Sequence, residues 1–285
     1  MTIPTRSIGP LIREWRQRRR LSQFELAREA HISPRQLSFL ETGRAMPGRE
    51  MLLHLAERLM IPLRARNEML DAAGLAQCYP ERPMDDPGFR MTRRSIDLIL
   101  SMHEPNPAVA IDRHWTMVAS NRAAANLIAG VVPLLLTPPV NMIRLSLHPA
   151  GLAPRIINLA EWRRHLIFRL RRQIEMTGDP VLLDLVDEVN AYPQPTAASG
   201  QVGPPDVVAV PLRLATVHGP LAFFSTTTVF GGPNDITLAE LAIEAFFPAD
   251  PATETIMRRM AAEHVPASAS APAQTTRPVL RAAIG

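Results

Sequence analysis

Between Pro34 and Arg49 the chain gathers side chains whose chemistry suits the edges of nucleic-acid bases. In PRQLSFLETGRAMPGR, helical spacing turns Leu37 and Leu40 inward and Arg35, Gln36 and Ser38 outward. An arginine pairs through two N–H groups with guanine O6 and N7, and a glutamine pairs with adenine N6 and N7. Gln23, Thr42, Arg44 and Arg49 stand around that set as donors of the kind that hold phosphate oxygens. No catalytic pattern competes. G-x-S-x-G, H-E-x-x-H and C-x-x-C are all missing from the sequence, so no nucleophile, metal or cofactor is expected.

Such donors read a groove only when a short helix presents them at a steep angle to its neighbour. Ser22 followed by Glu25 forms an S-x-x-E capping box, which predicts a helix over 22–30 burying Phe24, Leu26, Ala27 and Ala30. Ser33 caps the next helix with Pro34 at its first position, and Gly43 ends it. His31–Ile32–Ser33 is then the turn, with Ile32 under the crossing. A preceding helix carries Leu11, Ile12 and Trp15 on one face and Arg16 to Arg20 at its end. REMLLHLAERLM and LRARNEMLDAAG add a fourth and a fifth helix. Five short helices make one small α domain over 1–77.

Charge agrees with that placement. Residues 1–77 hold 13 arginines against 8 acidic residues, while the rest of the chain is close to neutral. A basic module of this kind suits a phosphate backbone, and the arginine run is expected to add affinity more than specificity. The 285 residues leave room for about two domains. No apolar run is long enough to span a membrane, and the start MTIPTRSIGPLIREW lacks the core of a signal peptide. Cys78 is the single cysteine, which excludes an internal disulfide framework. A cytoplasmic location is expected.

Beyond residue 77 the pattern changes. Prolines 80, 83 and 87 with Gly88 mark a linker, followed by a helix over 92–103 that turns Ile96, Leu98, Ile99 and Met102 toward an apolar neighbour. AVAIDRHWTMVASN reads as a β-hairpin. RAAANLIAG, NMIRLSLHP, NLAEWRRHLIFRLRRQIEMTG and DPVLLDLVDEVNAYP read as helices. After a Pro/Gly/Ala loop over 193–206, VVAVPLRLATV and LAFFSTTTVF flank HGP as a second hairpin. ITLAELAIEAFF is assigned as a strand because Ile243, Ala245 and Phe247 alternate, and PATETIMRRMAAEH as a closing helix. The fold class is therefore multidomain, α followed by α+β. The expected divisions are 1–77, a linker and connecting helix over 78–105, a second domain over 106–264, and a disordered tail over 265–285.

The frame SQ-x-x-LA, then S-x-x-x-L-S-x-x-E-x-G and a proline turn, resembles the XRE, or lambda-repressor-like, helix-turn-helix family. The resemblance implies DNA binding, with Arg35 as principal base reader, Gln23 on a phosphate, and an ion pair between Arg16 and Glu41. Pro34 departs from the polar residue often found there and puts more weight on Arg35. AVAIDRHWTMVASNRAA, VNMIRLSLHP, AEWRRHLIFRLRRQI and TGDPVLLDLVDEV resemble the MmyB-like ligand-binding domain that follows XRE domains in bacterial regulators. That resemblance implies a PAS-like antiparallel sheet with helices around an apolar cavity, and a hydrophobic, fatty-acid-like ligand. The apolar VVPLLLTPP segment would line or cap such a cavity.

Arg144 and His148, four apart, are the candidates to hold a carboxylate, with Trp115 and Phe223 as apolar ligand contacts. For the first two, pairing with helix ends or acidic neighbours is the favoured reading. Asp112 and Asn121 are read as turn and cap residues. The expectation that follows is a homodimeric repressor on a pseudo-palindromic operator, responsive to a small apolar molecule. Two alternatives stand beside it: a second domain that only dimerises, and a small-molecule enzyme that regulates its own gene.

Overall fold

Apolar residues recur at helical spacing along α1 (Ile8–Arg18), and Ile8, Leu11, Ile12 and Trp15 are all buried. The computed structural model describes residues 7–193 and 210–263. Ser22 accepts from Glu25 N at 3.2 Å while the Glu25 carboxylate accepts from Ser22 N at 2.7 Å, which starts α2 (Gln23–Glu29). Ser33 accepts from Gln36 N at 3.1 Å and starts α3 (Pro34–Glu41). Between them His31 takes φ 52°, a left-handed conformation that sharpens the turn. α1 crosses α3 so closely at Gly9 that a Cβ there would lie 2.7 Å from the Glu41 carbonyl oxygen. Only glycine permits that crossing. α4 (Arg49–Arg58) and α5 (Leu63–Ala72) close the core with Leu52, Leu55, Met69 and Leu70. Each such side chain contributes roughly 1.5–3 kcal/mol by leaving water.

After a short 3-10 turn, α6 (Arg90–Met102) leads into a five-stranded antiparallel sheet. The first hairpin is β1 (Ala108–Ile111) and β2 (Met117–Ser120). Helices α7 (Arg122–Ile128), α8 (Pro133–Leu136), α9 (Met142–Leu147), α10 (Leu159–Thr177) and α11 (Pro180–Ala191) follow. The second hairpin is β3 (Leu212–Thr216) and β4 (Gly219–Val229). One helical turn, α12 (Ile236–Ala239), precedes β5 (Ala242–Pro248), and α13 (Pro251–Glu263) ends the described chain. The strand order is β2-β1-β5-β4-β3. One sheet face packs Val109, Ile111, Leu221 and Phe223 against α10, α11 and α13. The other packs Ala108, Ala110, Ile243 and Ala245 against Ile96 and Leu100 of α6.

Three expectations need correction. Phe24, expected in the core with Leu26 and Ala27, is 65% exposed on α2. ITLAELAIEAFF is not one strand: Asp235 accepts from Leu238 N and caps a helical turn before β5 begins. β5 lies at the centre of the sheet with both faces covered, so Glu244 is as buried as its apolar neighbours. In α6, Leu98 and Met102 do not face the sheet: they are 59% and 76% exposed, and Ile96 and Leu100 pack in their place. The reason is phase, since 96 and 100 share one helix face and 98 and 102 another. Nearly all of the loop expected over 193–206, and the tail over 265–285, lie outside the described residues. Among the described residues no helix is long and apolar enough to cross a membrane.

Candidate nucleic-acid interface and ligand cavity

The outer side of α3 is open: Arg35 and Gln36 are exposed and Ser38 is half-buried. Phe39, one turn beyond Arg35, carries the Arg35 guanidinium 5.3 Å above its ring and that of Arg44 at 5.9 Å. Stacking of this kind holds long side chains without using their N–H donors. The Thr42 hydroxyl donates to Ser38 O at 2.7 Å, and Arg49 donates to Ala76 O at 2.9 Å. Gln23 donates to Glu41 at 2.7 Å and so sits fixed at the start of α2.

Glu41 is the centre of this small domain. Arg16 grips it with two bonds, Nε to Oε1 at 2.6 Å and Nη2 to Oε2 at 3.0 Å, and also donates to Leu21 O at 2.7 Å. Burial pushes the Glu41 pKa up, but hydrogen bonds from Arg16 and Gln23 outweigh it and leave the pKa below the usual carboxylate value. The arginine run therefore does structural work that its composition does not reveal. Arg16 holds Glu41, Arg18 pairs with Glu14 at 2.7 Å, and Arg19 donates to Leu59 O and Met60 O. These three are engaged within the chain.

Inside the sheet domain lies a cavity of about 70 Å³, walled by Trp115, Met142, Trp162, Leu166 and Phe246. Its charged groups are Arg169 and Glu244. Arg169 donates to Glu244 through Nη2 at 2.5 Å and Nη1 at 3.0 Å, and Thr227 donates to the same carboxylate at 2.7 Å. The Arg169 guanidinium also lies 4.6 Å over the Trp115 ring. Pockets for small ligands usually measure roughly 300–1,000 Å³, so this one holds little more than two water-sized volumes until a wall moves. A larger groove of about 620 Å³ opens between the end of α7, the β3–β4 turn and Met260. Its guanidinium, Arg155, donates to the carbonyls of Leu127 and Ala129.

The cavity brings together only part of the expected set. Trp115 lines it, held by a hydrogen bond from Nε1 to Gln173 at 2.9 Å. Phe223 is fully buried behind it, edge-on to Phe246. Arg144 and His148 lie elsewhere. Arg144 pairs with Glu188 of α11 at 2.7–2.9 Å, and that bond raises its pKa. His148 falls past the end of α9 and packs edge-on against Tyr192. Asp112 accepts from the amides of His114 and Thr116, and Asn121 caps α7 while binding Ala108 N. In VVPLLLTPP, Val131 is buried and Leu134 is 82% exposed. Arg169 and Glu244 were missed, although each interrupts an otherwise apolar pattern: Arg169 on the Trp162–Leu166–Leu170 side of α10, and Glu244 within AIEAFF. A charge in such a position is usually paired.

A family profile described as MmyB-like transcription regulator ligand binding domain matches residues 92–260, more than half of the chain. The chain belongs to the MmyB-like transcription regulator family. A second profile, described as helix-turn-helix, matches residues 12–65. The chain is also similar to Multiprotein-bridging factor 1 of Candida albicans, 36% identical over 61 residues. That similarity covers 21% of this chain and spans 40% of the length of that relative.

In this MmyB-like regulator a line of charges joins the cavity wall to the helix-turn-helix unit. Trp115 sits at φ 65°, a strained setting for a bulky residue, with its amide bound to Asp112 O and its carbonyl accepting from Met142 N. Its neighbour His114 places Nε2 2.9 Å from Asp179, and Arg113 reaches both Asp179 and Glu240, at 3.9 and 3.5 Å. Glu240 in turn pairs with Arg64 of α5 at 2.9 Å, and Arg64 also holds Glu81 at 2.5 Å. The bond to Glu240 is the main reason the Arg64 pKa is raised. A backbone bond from Ile236 N to Pro80 O and a bond from the Thr237 hydroxyl to Arg82 O fasten the same junction. Arg18 packs against Gly178, whose φ of 69° and lack of Cβ leave it room.

Proposed function

We propose that the chain is a homodimeric DNA-binding transcription regulator that represses from a pseudo-palindromic operator and senses a small hydrophobic molecule. In this reading 1–77 binds DNA, 78–105 connects, and 106–264 senses. The observation that carries it is the open face of α3, with Arg35 poised over Phe39 while Glu41, at the other end of the helix, is locked to Arg16. A rigid, capped helix with a free arginine is what groove reading requires. Arg35, Gln36 and Ser38 read bases; Gln23, Thr42, Arg44 and Arg49 hold phosphates. The decisive experiment is operator binding by Arg35→Ala on a footprinted site. A loss of roughly 1–3 kcal/mol with relaxed choice at one base is expected, and unchanged affinity would remove the assignment. Half-sites should lie about 34 Å apart, or a multiple of it. Reporter transcription should rise when the regulator is deleted.

The sensing half of the proposal rests on the apolar cavity and on Arg169, placed to meet the carboxylate of a fatty-acid-like ligand in exchange for Glu244. Trp115 and Phe223 supply apolar wall. A ligand shifts operator affinity only by preferring one of two arrangements, and the charge line from Trp115 to Arg64 supports a route for that preference. The cavity's small volume favours a second reading, in which the sheet domain only dimerises. Native mass spectrometry and a thermal-shift panel of fatty acids separate the two: an adduct or a shift supports sensing, and neither supports dimerisation alone.

A further inference from the structure

Two guanidiniums stand at hollows in the sheet domain, and they differ in what they hold. In the inner cavity Arg169 is tied twice to Glu244, so a ligand carboxylate there has to displace another carboxylate. The second, Arg155, lines the groove of about 620 Å³ between the end of α7, the β3–β4 turn and α13. No residue lines both spaces.

Carbonyls hold Arg155 in place. Nη1 donates to Leu127 O at 2.9 Å and to Ala129 O at 3.5 Å, and Nε donates to Ala215 O at 3.5 Å. The first two carbonyls close the end of α7, where a cation also suits the helix dipole. That role accounts for Nη1 and Nε. It leaves Nη2 without a bond among the described residues, although that nitrogen is not shut away from solvent. No Asp or Glu lines the groove, and Arg155 makes no ion pair among the described residues. Burial without a carboxylate lowers its pKa.

The other polar side chains of the groove are open as well. The Asn126 amide and the His218 ring make no hydrogen bond among the described residues, while the His218 backbone N–H donates to Thr216 Oγ1 at 3.2 Å. Leu127, Met260 and the 97% exposed Val217 supply apolar wall. A groove of this volume, apolar with a few converging polar groups, has the usual make-up of a small-molecule site. One guanidinium matches one carboxylate, whereas a polyphosphate would need several cations. Residues 264–285 follow α13 but carry Arg277 and Arg281 and no acidic side chain, so they bring Arg155 no counter-charge. We infer that this groove binds a small monocarboxylate with an apolar body, its head group on Arg155 and its body against Leu127, Val217 and Met260. The site is separate from the inner cavity and stands apart from the sensing reading above.

Fluorescence titration of the full chain with naphthoate and with its neutral counterpart, naphthalenemethanol, tests the site. The acid should bind about 10-fold more tightly than the alcohol, the difference that a charge-assisted hydrogen bond makes. Val217→Trp, a change at an exposed turn, should obstruct the groove and weaken naphthoate about 10-fold with thermal unfolding unchanged. Arg155→Met should erase the preference for acid over alcohol, a ratio that lost stability alone does not move. Arg169→Met should leave naphthoate binding as it was. Binding lost in Arg169→Met and kept in Val217→Trp overturns the groove and moves the ligand to the inner cavity. Equal binding of acid and alcohol by the natural protein overturns it too. So does no binding by the full chain, as when residues 264–285 fill the groove, and that result leaves the fatty-acid test of the inner cavity standing.

Discussion

Two glutamates, Glu41 and Glu244, are each 3% exposed and each held by two bonds from one arginine with further polar side chains in support, Arg13 and Gln23 at Glu41 and Thr227 at Glu244. Their surroundings differ. Glu41 lies where α1, α2 and α3 meet, with Arg16 and Gln23 arriving from different helices. Glu244 lies on a central strand at the wall of a cavity, and its partner Arg169 also lies over the Trp115 ring. The same chemical device thus does opposite things. In the helical unit it locks three helices into one arrangement. In the sheet domain it keeps a charge satisfied beside a space that a ligand would have to widen.

The sharpest way to break this contrast is to remove one carboxylate. Glu41→Ala leaves Arg16 buried without its partner and should cost about 3–5 kcal/mol in urea unfolding of the helical unit. A loss below about 1 kcal/mol would mean the pair is decoration. Arg169→Met should cost less, about 2 kcal/mol, because the arginine side chain is 23% exposed and solvent relieves part of the loss. Adding Glu244→Met should restore most of it while abolishing any preference for a carboxylated ligand over its alcohol. Equal binding of both ligands by the natural protein would separate Arg169 from ligand recognition.

Smaller effects test the junction. Arg64→Ala severs Glu240 and Glu81 from α5 and should remove about 1 kcal/mol of coupling between ligand and operator, with operator affinity in the ligand-free protein nearly unchanged. Coupling that survives Arg64→Ala points to the backbone contacts at Pro80 and Arg82 instead. The smallest effect is acid sensitivity. The Glu41 pKa is depressed in the folded chain, so its contribution is complete above the unfolded value near 4.3 and fades as pH falls through the folded one. Urea midpoints of the helical unit should drop more steeply below pH 4 in the natural protein than in Glu41→Gln.

The helical unit was almost wholly legible because its signals are local. Ser22, Ser33, Pro34 and Gly43 act within one turn of themselves, so capping chemistry alone marked both helices and the turn between them. Exposure of Arg35 and Gln36 followed from helix phase. What was missed there was the engagement of the arginine run, since the carbonyls that hold Arg19 come from residues 59 and 60. In the sheet domain the strands were readable but their faces were not. Alternation assigns one face to solvent, and β5 has none.

The sequence by itself determined the five helices of the first unit, the open face of α3 with its arginine, and the division of charge between the two halves. These depend on propensity, capping and periodicity, which act between near neighbours. Only the tertiary structure decided that Arg144 pairs with Glu188 on the surface, that Arg169 and Glu244 stand at the cavity, and that Leu98 and Met102 face outward. Each of those outcomes depends on which distant strand or helix occupies the adjoining space, and strand order is a property of the whole sheet.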